Sequence, residues 1–176
     1  MIEYNQAIKR LIGIPYSTPT IGLFVELGIP SLEELIDKRK LMFLHRLVNQ
    51  NEERLTFQVY KEQQLMPEMN WASEIQDILK KYQINDENIQ NMKKGAWKKE
   101  IDKKLKETQI NTRKEWFKRS KKCNHMIDDV HEKKAYLEDL PTQQAKTILM
   151  ERLNMTKVKD NFHQENEKYN CSLCQS

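Results

Sequence analysis

Four glycines and five prolines are all that punctuate 176 residues, and this scarcity constrains the fold more than any motif does. A sheet-rich chain of this length needs many tight turns, and tight turns draw on glycine and proline. Long stretches free of both favour helices, and no convincing strand stands out. The expected fold class is all-α, an elongated multi-helix bundle of about six to eight helices with a loosely ordered C-terminal tail. Hydrophobic residues make up 38% of the chain and charged residues 32%. That balance allows a thin core under a strongly ionic surface.

Helix signals divide the chain. Pro19, after Ser17-Thr18, stands at a helix start, and the apolar run Ile21-Gly22-Leu23-Phe24-Val25 closes at Gly28. Ser31 and Glu34 have capping-box spacing and open the next helix. In it Leu32, Leu35, Ile36, Phe43 and Leu47 fall on one side, with Leu41, Leu44 and Val48 nearly opposite. A helix apolar on two faces calls for partners on both. A third helix is expected from about Glu52 to Gln64, and a fourth carries Trp71, Ile75, Ile78, Leu79 and Tyr82 toward Asn85-Asp86. Thr142 to Leu153, after Pro141, forms the last, and the polar segment 155–176 forms a flexible tail.

Charge is unevenly placed. Between Lys93 and Lys122 there are thirteen Lys or Arg against four acids, while the rest of the chain holds seventeen against twenty-two. A basic block in an otherwise acidic chain suits a polyanion-binding surface, although a solvated lysine-rich helix has the same pattern. The block reads as two helices. The first has the seam Trp97, Ile101 and Leu105 with Lys99, Lys103 and Lys106 opposite. The second gathers Lys114, Lys118, Lys121 and Lys122 on one face and Trp116, Cys123 and Ile127 on another. The candidate nucleic-acid-binding residues are Lys93, Lys94, Lys98, Lys99, Lys103, Lys106, Arg113, Lys114, Lys118, Arg119, Lys121 and Lys122. Trp97 and Trp116 could stack on unpaired bases, but their seams favour core packing.

No catalytic constellation is present. There is no glycine-rich phosphate loop, Gly-x-Ser-x-Gly turn or His-Glu-x-x-His helix. Glu33-Glu34, Glu52-Glu53 and Asp128-Asp129 are adjacent pairs, and neighbours on a helix diverge by about 100°. No small-molecule substrate is implied. His45 reads as a packed, hydrogen-bonded histidine, and Cys123, His125 and His131 match no standard metal spacing. Cys171 and Cys174 make a C-x₂-C pair, half of a tetrahedral zinc site, with His163 eight positions before it. An odd set of three cysteines argues against a disulfide framework, and there is no leader-like or membrane-spanning run. The expected location is cytoplasmic or nuclear, not secreted, with no membrane partner.

Several segments together resemble one family. Leu11-Ile-Gly-Ile-Pro15, Ser17-Thr-Pro19, Glu26-Leu-Gly28 and Lys38-Arg-Lys-Leu-Met-Phe-Leu44 resemble the region just beyond the polymerase core of non-LTR (LINE-type) retrotransposon reverse transcriptases. Leu149-Met-Glu-Arg-Leu-Asn-Met155, Val158-Lys-Asp-Asn-Phe162 and Cys171-Ser-Leu-Cys174 are similar to the stretch leading into that family's C-terminal CCHC zinc knuckle. The resemblance implies a thumb-like and linker-like helical lobe (1–84), a basic helical region (85–154) and a tail (155–176) that holds the start of the knuckle. It also implies that this region grips template, primer or element RNA alongside the polymerase body. Lys157 and Lys159 would then lie near nucleic acid, and Cys171 and Cys174 would be the first two zinc ligands.

The departures are equally specific. The family's catalytic aspartates and the knuckle's remaining His and Cys have no counterpart here. The expectation is therefore a non-catalytic fragment with an incomplete zinc site and no cofactor of its own, zinc belonging to the full-length family context. Glu151 and Asn154 flank Arg152, where relatives are richer in arginine. Two alternatives stand beside it: a helical protein–protein interaction module acting through the apolar faces of Leu32 to Val48, or an inert remnant of a decayed element.

Overall fold

The computed structural model describes residues 2–66, 70–87, 89–121, 123–129 and 134–156. Among these are eight α-helices and no strand. They are α1 (Ile2–Ile12), α2 (Thr20–Leu27), α3 (Leu32–Val48), α4 (Leu55–Leu65), α5 (Trp71–Tyr82), α6 (Lys94–Arg119), α7 (Tyr136–Asp139) and α8 (Thr142–Arg152). Short 3-10 turns lie at Ile89–Asn91 and Asn124–Asp129. The all-helical class holds, and the tail from Lys157 onward lies outside the described residues.

Local chemistry sets most of the boundaries. Gly28 ends α2 with φ +64°, a left-handed conformation that suits glycine, and Ile29 N donates back to Phe24 O at 3.0 Å. The capping box at α3 is complete: Glu34 N donates to Ser31 Oγ at 3.2 Å and Ser31 N to Glu34 Oε2 at 2.6 Å. A second box, Asn70 with Ser73, opens α5. The chain then leaves that helix at Gln83, which adopts φ +51°, and not at Asn85-Asp86.

Buried side chains fall into two clusters that do not follow chain order. The first joins Leu41, Leu44 and Leu47 of α3 with Tyr60, Ile75, Leu79 and the start of α6. The second joins Leu23, Phe24 and Val25 of α2 with Phe117, Met126, Leu149 and Leu153. Segments 1–84 and 85–154 each contribute to both clusters. In the second, α2 comes so close to α8 that a Cβ on Gly22 would lie 2.8 Å from Leu153 Cδ2.

Two expectations about faces need correction. On α3, Leu41, Leu44 and Leu47 are all buried, whereas Ile36 and Phe43 remain exposed. One apolar stripe of α3 meets the core, and polar groups fill gaps in it: Asp37 and His45 are buried as well.

The basic block is also not two helices. α6 runs unbroken for 26 residues. Nothing from Thr108 to Thr112 breaks a helix, and the i,i+3 pairs Lys104–Glu107 (3.8 Å) and Lys118–Glu115 (2.6 Å) support its two halves. What changes midway is the buried face. Trp97, Ile101 and Leu105 enter the first cluster, while Phe117 enters the second. Phe117 lies twenty residues beyond Trp97, about 160° around the helix. One continuous helix therefore buries opposite sides in its two halves and spans both cores.

Candidate nucleic-acid interface

The seam of α6 is firmly anchored. Trp97 is fully buried, donates Nε1–H to Leu41 O at 2.9 Å and stacks on His45 with centroids 6.3 Å apart. His45 donates Nε2–H to Met92 O at 2.8 Å, so this histidine is a packing group, as its position in α3 suggests. With the seam facing inward, Lys99, Lys103 and Lys106 stand on the opposite, exposed face. They span about 10 Å along the axis at 1.5 Å per residue.

Lys93, Lys94 and Lys98 are exposed as well, within the first two turns or at the cap. None of Lys93, Lys94, Lys98, Lys99, Lys103 and Lys106 has an ion-pair partner among the described residues. No acid occupies the first turn of α6, although the positive end of a helix dipole favours one. The start of α6 therefore concentrates positive potential.

The second half of the block is arranged differently. Arg113, expected among the outward cations, turns inward, with a side chain only 11% exposed. It donates to Ile29 O at 2.9 Å and lies 3.9 Å from Glu34 Oε2. Burial lowers the guanidinium's pKa from its ordinary value, and Glu34 opposes that shift. Gln109 donates to the same Glu34 oxygen at 2.8 Å. Arg113 and Gln109 thus tie the middle of α6 to the capping box of α3, a packing role that the charge run conceals.

Lys114 is half-buried, Lys118 pairs with Glu115, and Arg119 and Lys121 are exposed. Lys114, Lys118 and Lys121 do not lie with Lys99, Lys103 and Lys106 on one continuous stripe, because that side of α6 becomes the buried one at Phe117. Trp116 is half-buried edge-on against Phe117, with centroids 5.1 Å apart. Arg152 is bonded to Glu26.

Lys122, Lys157, Lys159, Cys171 and Cys174 lie outside the described residues, as do His131 and His163. Among the described residues, no three His, Cys, Asp or Glu side chains gather as a metal site. His125 donates to Arg152 O at 2.9 Å. No helix among them is long and apolar enough to cross a membrane.

The structure adds two cations that the charge run leaves out. Arg46 of α3 and Arg54, just before α4, line a cleft together with Lys94. Both are isolated arginines in sequence, so only the approach of α3, α4 and α6 brings them together. No protein-family model, curated protein or solved structure matches this chain.

Proposed function

We propose that the chain is a non-catalytic helical segment of a LINE-type reverse transcriptase that holds RNA or DNA against the exposed lysines in the first half of α6. The observation behind it is the set Lys99, Lys103 and Lys106, without an acidic partner among the described residues and opposite a buried Trp97–Ile101–Leu105 seam. Lysines held at helical spacing on a rigid support neutralise phosphates and release condensed counterions. The family assignment is supported by the ordered resemblance from Leu11 to Gly28 and from Leu149 to Cys174. In this reading the cytosol or nucleus is the compartment, and a polymerase body is the natural partner.

The test is binding of a single-stranded RNA across a salt series. Charge reversal at Lys99, Lys103 and Lys106 should lower the log–log salt slope by about 2, at about 0.7 per lost single-strand contact. Unchanged affinity at low salt in that variant sinks the α6 assignment. The genomic sequence on either side of the reading frame tests the origin separately: a polymerase frame upstream and a His-x-Cys remnant downstream are expected.

A second reading, a protein-interaction module, is favoured by the exposed apolar side chains Phe43, Leu55 and Val59 around one groove. Leu55→Asp with Val59→Asp should abolish capture of such a partner and leave RNA binding intact. Loss of RNA binding instead would count against it.

A further inference from the structure

A cleft of about 1050 Å³ opens between the C-terminal half of α3, the loop into α4 and the start of α6. Its lining includes Arg46, Arg54 and Lys94 and, among the described residues, no acidic side chain. All three cations are exposed, and none has an ion-pair partner among the described residues. Glu52 and Glu53 sit in the adjoining loop but do not line the cleft. Asn51 turns toward Glu53, accepting from Glu53 N at 3.0 Å.

Three like charges around one concavity repel one another, and an anion entering it relieves that repulsion. The side-chain amides that could have formed a polar recognition set are already engaged. Asn49 Nδ2 donates to His45 O at 2.9 Å and to Ile89 O at 3.3 Å, and Gln50 Nε2 donates to Thr56 Oγ1 at 2.8 Å. What the cleft offers a ligand is therefore positive charge and one aromatic ring. That ring is Phe43, which lies in the lining, remains 39% exposed and carries the Arg46 guanidinium 5.2 Å from its centroid.

We infer that this cleft binds an unpaired nucleic-acid strand, with phosphates on Arg46, Arg54 and Lys94 and a base against Phe43. Charge combined with a partly exposed aromatic ring, packed edge-to-face with Trp71 at 5.4 Å, suits single strands, whose bases are free to stack, and does so without reading sequence. The volume also exceeds what one phosphate ion needs. The assignment rests on the nucleic-acid reading but places the contact on α3 and α4, outside the Lys93–Lys122 run.

The test is fluorescence anisotropy with a labelled single-stranded RNA oligonucleotide, its duplex, and inorganic pyrophosphate as competitor. Arg46→Gln with Arg54→Gln should weaken single-strand binding about tenfold and lower the salt slope by about 1.4, at about 0.7 per contact. Arg46→Lys with Arg54→Lys should keep most of the affinity. Phe43→Ala should weaken the single strand more than the duplex. Circular dichroism and denaturant unfolding of the arginine double variant should match wild type, since both side chains are exposed.

Wild-type affinity in the glutamine variant, together with loss of binding on charge reversal at Lys99, Lys103 and Lys106, overturns the cleft and leaves the α6 reading standing. The reverse pattern supports the cleft and overturns the α6 face. Pyrophosphate displacing the oligonucleotide at matched phosphate concentration overturns the assignment to a strand. No binding by wild type at low salt overturns both.

Discussion

Arg152 Nε donates to Glu26 Oε2 at 2.9 Å, joining α8 to α2 across 126 residues of sequence. Tyr136 donates to the same oxygen at 2.7 Å, so one carboxylate gathers α2, α7 and α8. Glu26 is fully buried, which makes it costly to leave either donor without it. Glu26→Ala should destabilise by about 2–3 kcal/mol. That is less than the about 3–5 kcal/mol of a fully buried broken pair, because Arg152 is 31% exposed and can rehydrate. Glu26→Leu combined with Tyr136→Phe and Arg152→Met should recover most of the loss, since it removes the buried carboxylate together with its two donors. Denaturant unfolding measures both variants, and equal stability of the single variant and wild type would show that the carboxylate holds nothing together.

Trp97 offers a sharper stability test. It is wholly enclosed and its indole N–H reaches Leu41 O. Trp97→Ala should cost about 3–5 kcal/mol through the cavity it leaves. Trp97→Phe should cost about 1–3 kcal/mol, from the lost indole hydrogen bond and the space the smaller ring leaves, while Leu41 O keeps its helical partner. Neither effect should depend on salt, whereas RNA binding should. A Trp97→Phe protein that unfolds like wild type would remove the indole hydrogen bond from the account of the fold.

The parts of the fold legible in sequence are those decided within one or two turns. Ser31 with Glu34, and Gly28 as a helix stop, work through neighbours in the chain. The continuity of α6 is not local in that sense. Its apolar seam crosses from Trp97 to the side of Phe117, and a periodicity that shifts face looks like two helices. The buried stripe of α3 was also hidden, because Ile36 and Phe43 are apolar yet exposed while Asp37 and His45 are polar yet buried. In the interface, the outward lysines follow from helical spacing once the Trp97 seam is found. Arg113 does not, because Ile29 O and Glu34 meet it only in three dimensions. Arg46 and Arg54 fail for the same reason, since neither belongs to a run of charge.

Alkaline pH should loosen the contact between α3 and α5. Asp37 is buried and accepts from Lys81 Nζ and from Tyr82 Oη, each at 2.8 Å. Burial raises the Tyr82 pKa from its ordinary 10.0, and the bond to Asp37 adds to the shift. Lys81 is pulled down by burial, but its bonds to Asp37 and Glu33 outweigh this and leave it raised above 10.5. Both groups hold their protons more tightly folded than unfolded. Their contribution is complete below pH 10.0 and is lost as pH climbs from there toward the folded values. Tyr82→Phe should cost about 1–2 kcal/mol at neutral pH and flatten the decline above pH 10.0. Unfolding midpoints measured across that range test it, and an unchanged alkaline slope in the variant would exclude Tyr82 as a source.

The shift of face along α6 makes its length in residues critical. One alanine inserted between Lys106 and Glu107 keeps the helix but turns everything beyond it by about 100°. Phe117 would leave the second core, Arg113 would leave Ile29 O, and Gln109 would leave Glu34, while Trp97, Ile101 and Leu105 stayed in place. Wild type should unfold in one transition, because a single rigid helix belongs to both cores. The insertion should split this into two, with the Trp97 core melting last. A substitution of Lys106→Ala, which adds no residue, should leave the single transition unchanged. A single transition at the wild-type midpoint in the insertion variant would mean that the two cores do not depend on the phase of the helix they share.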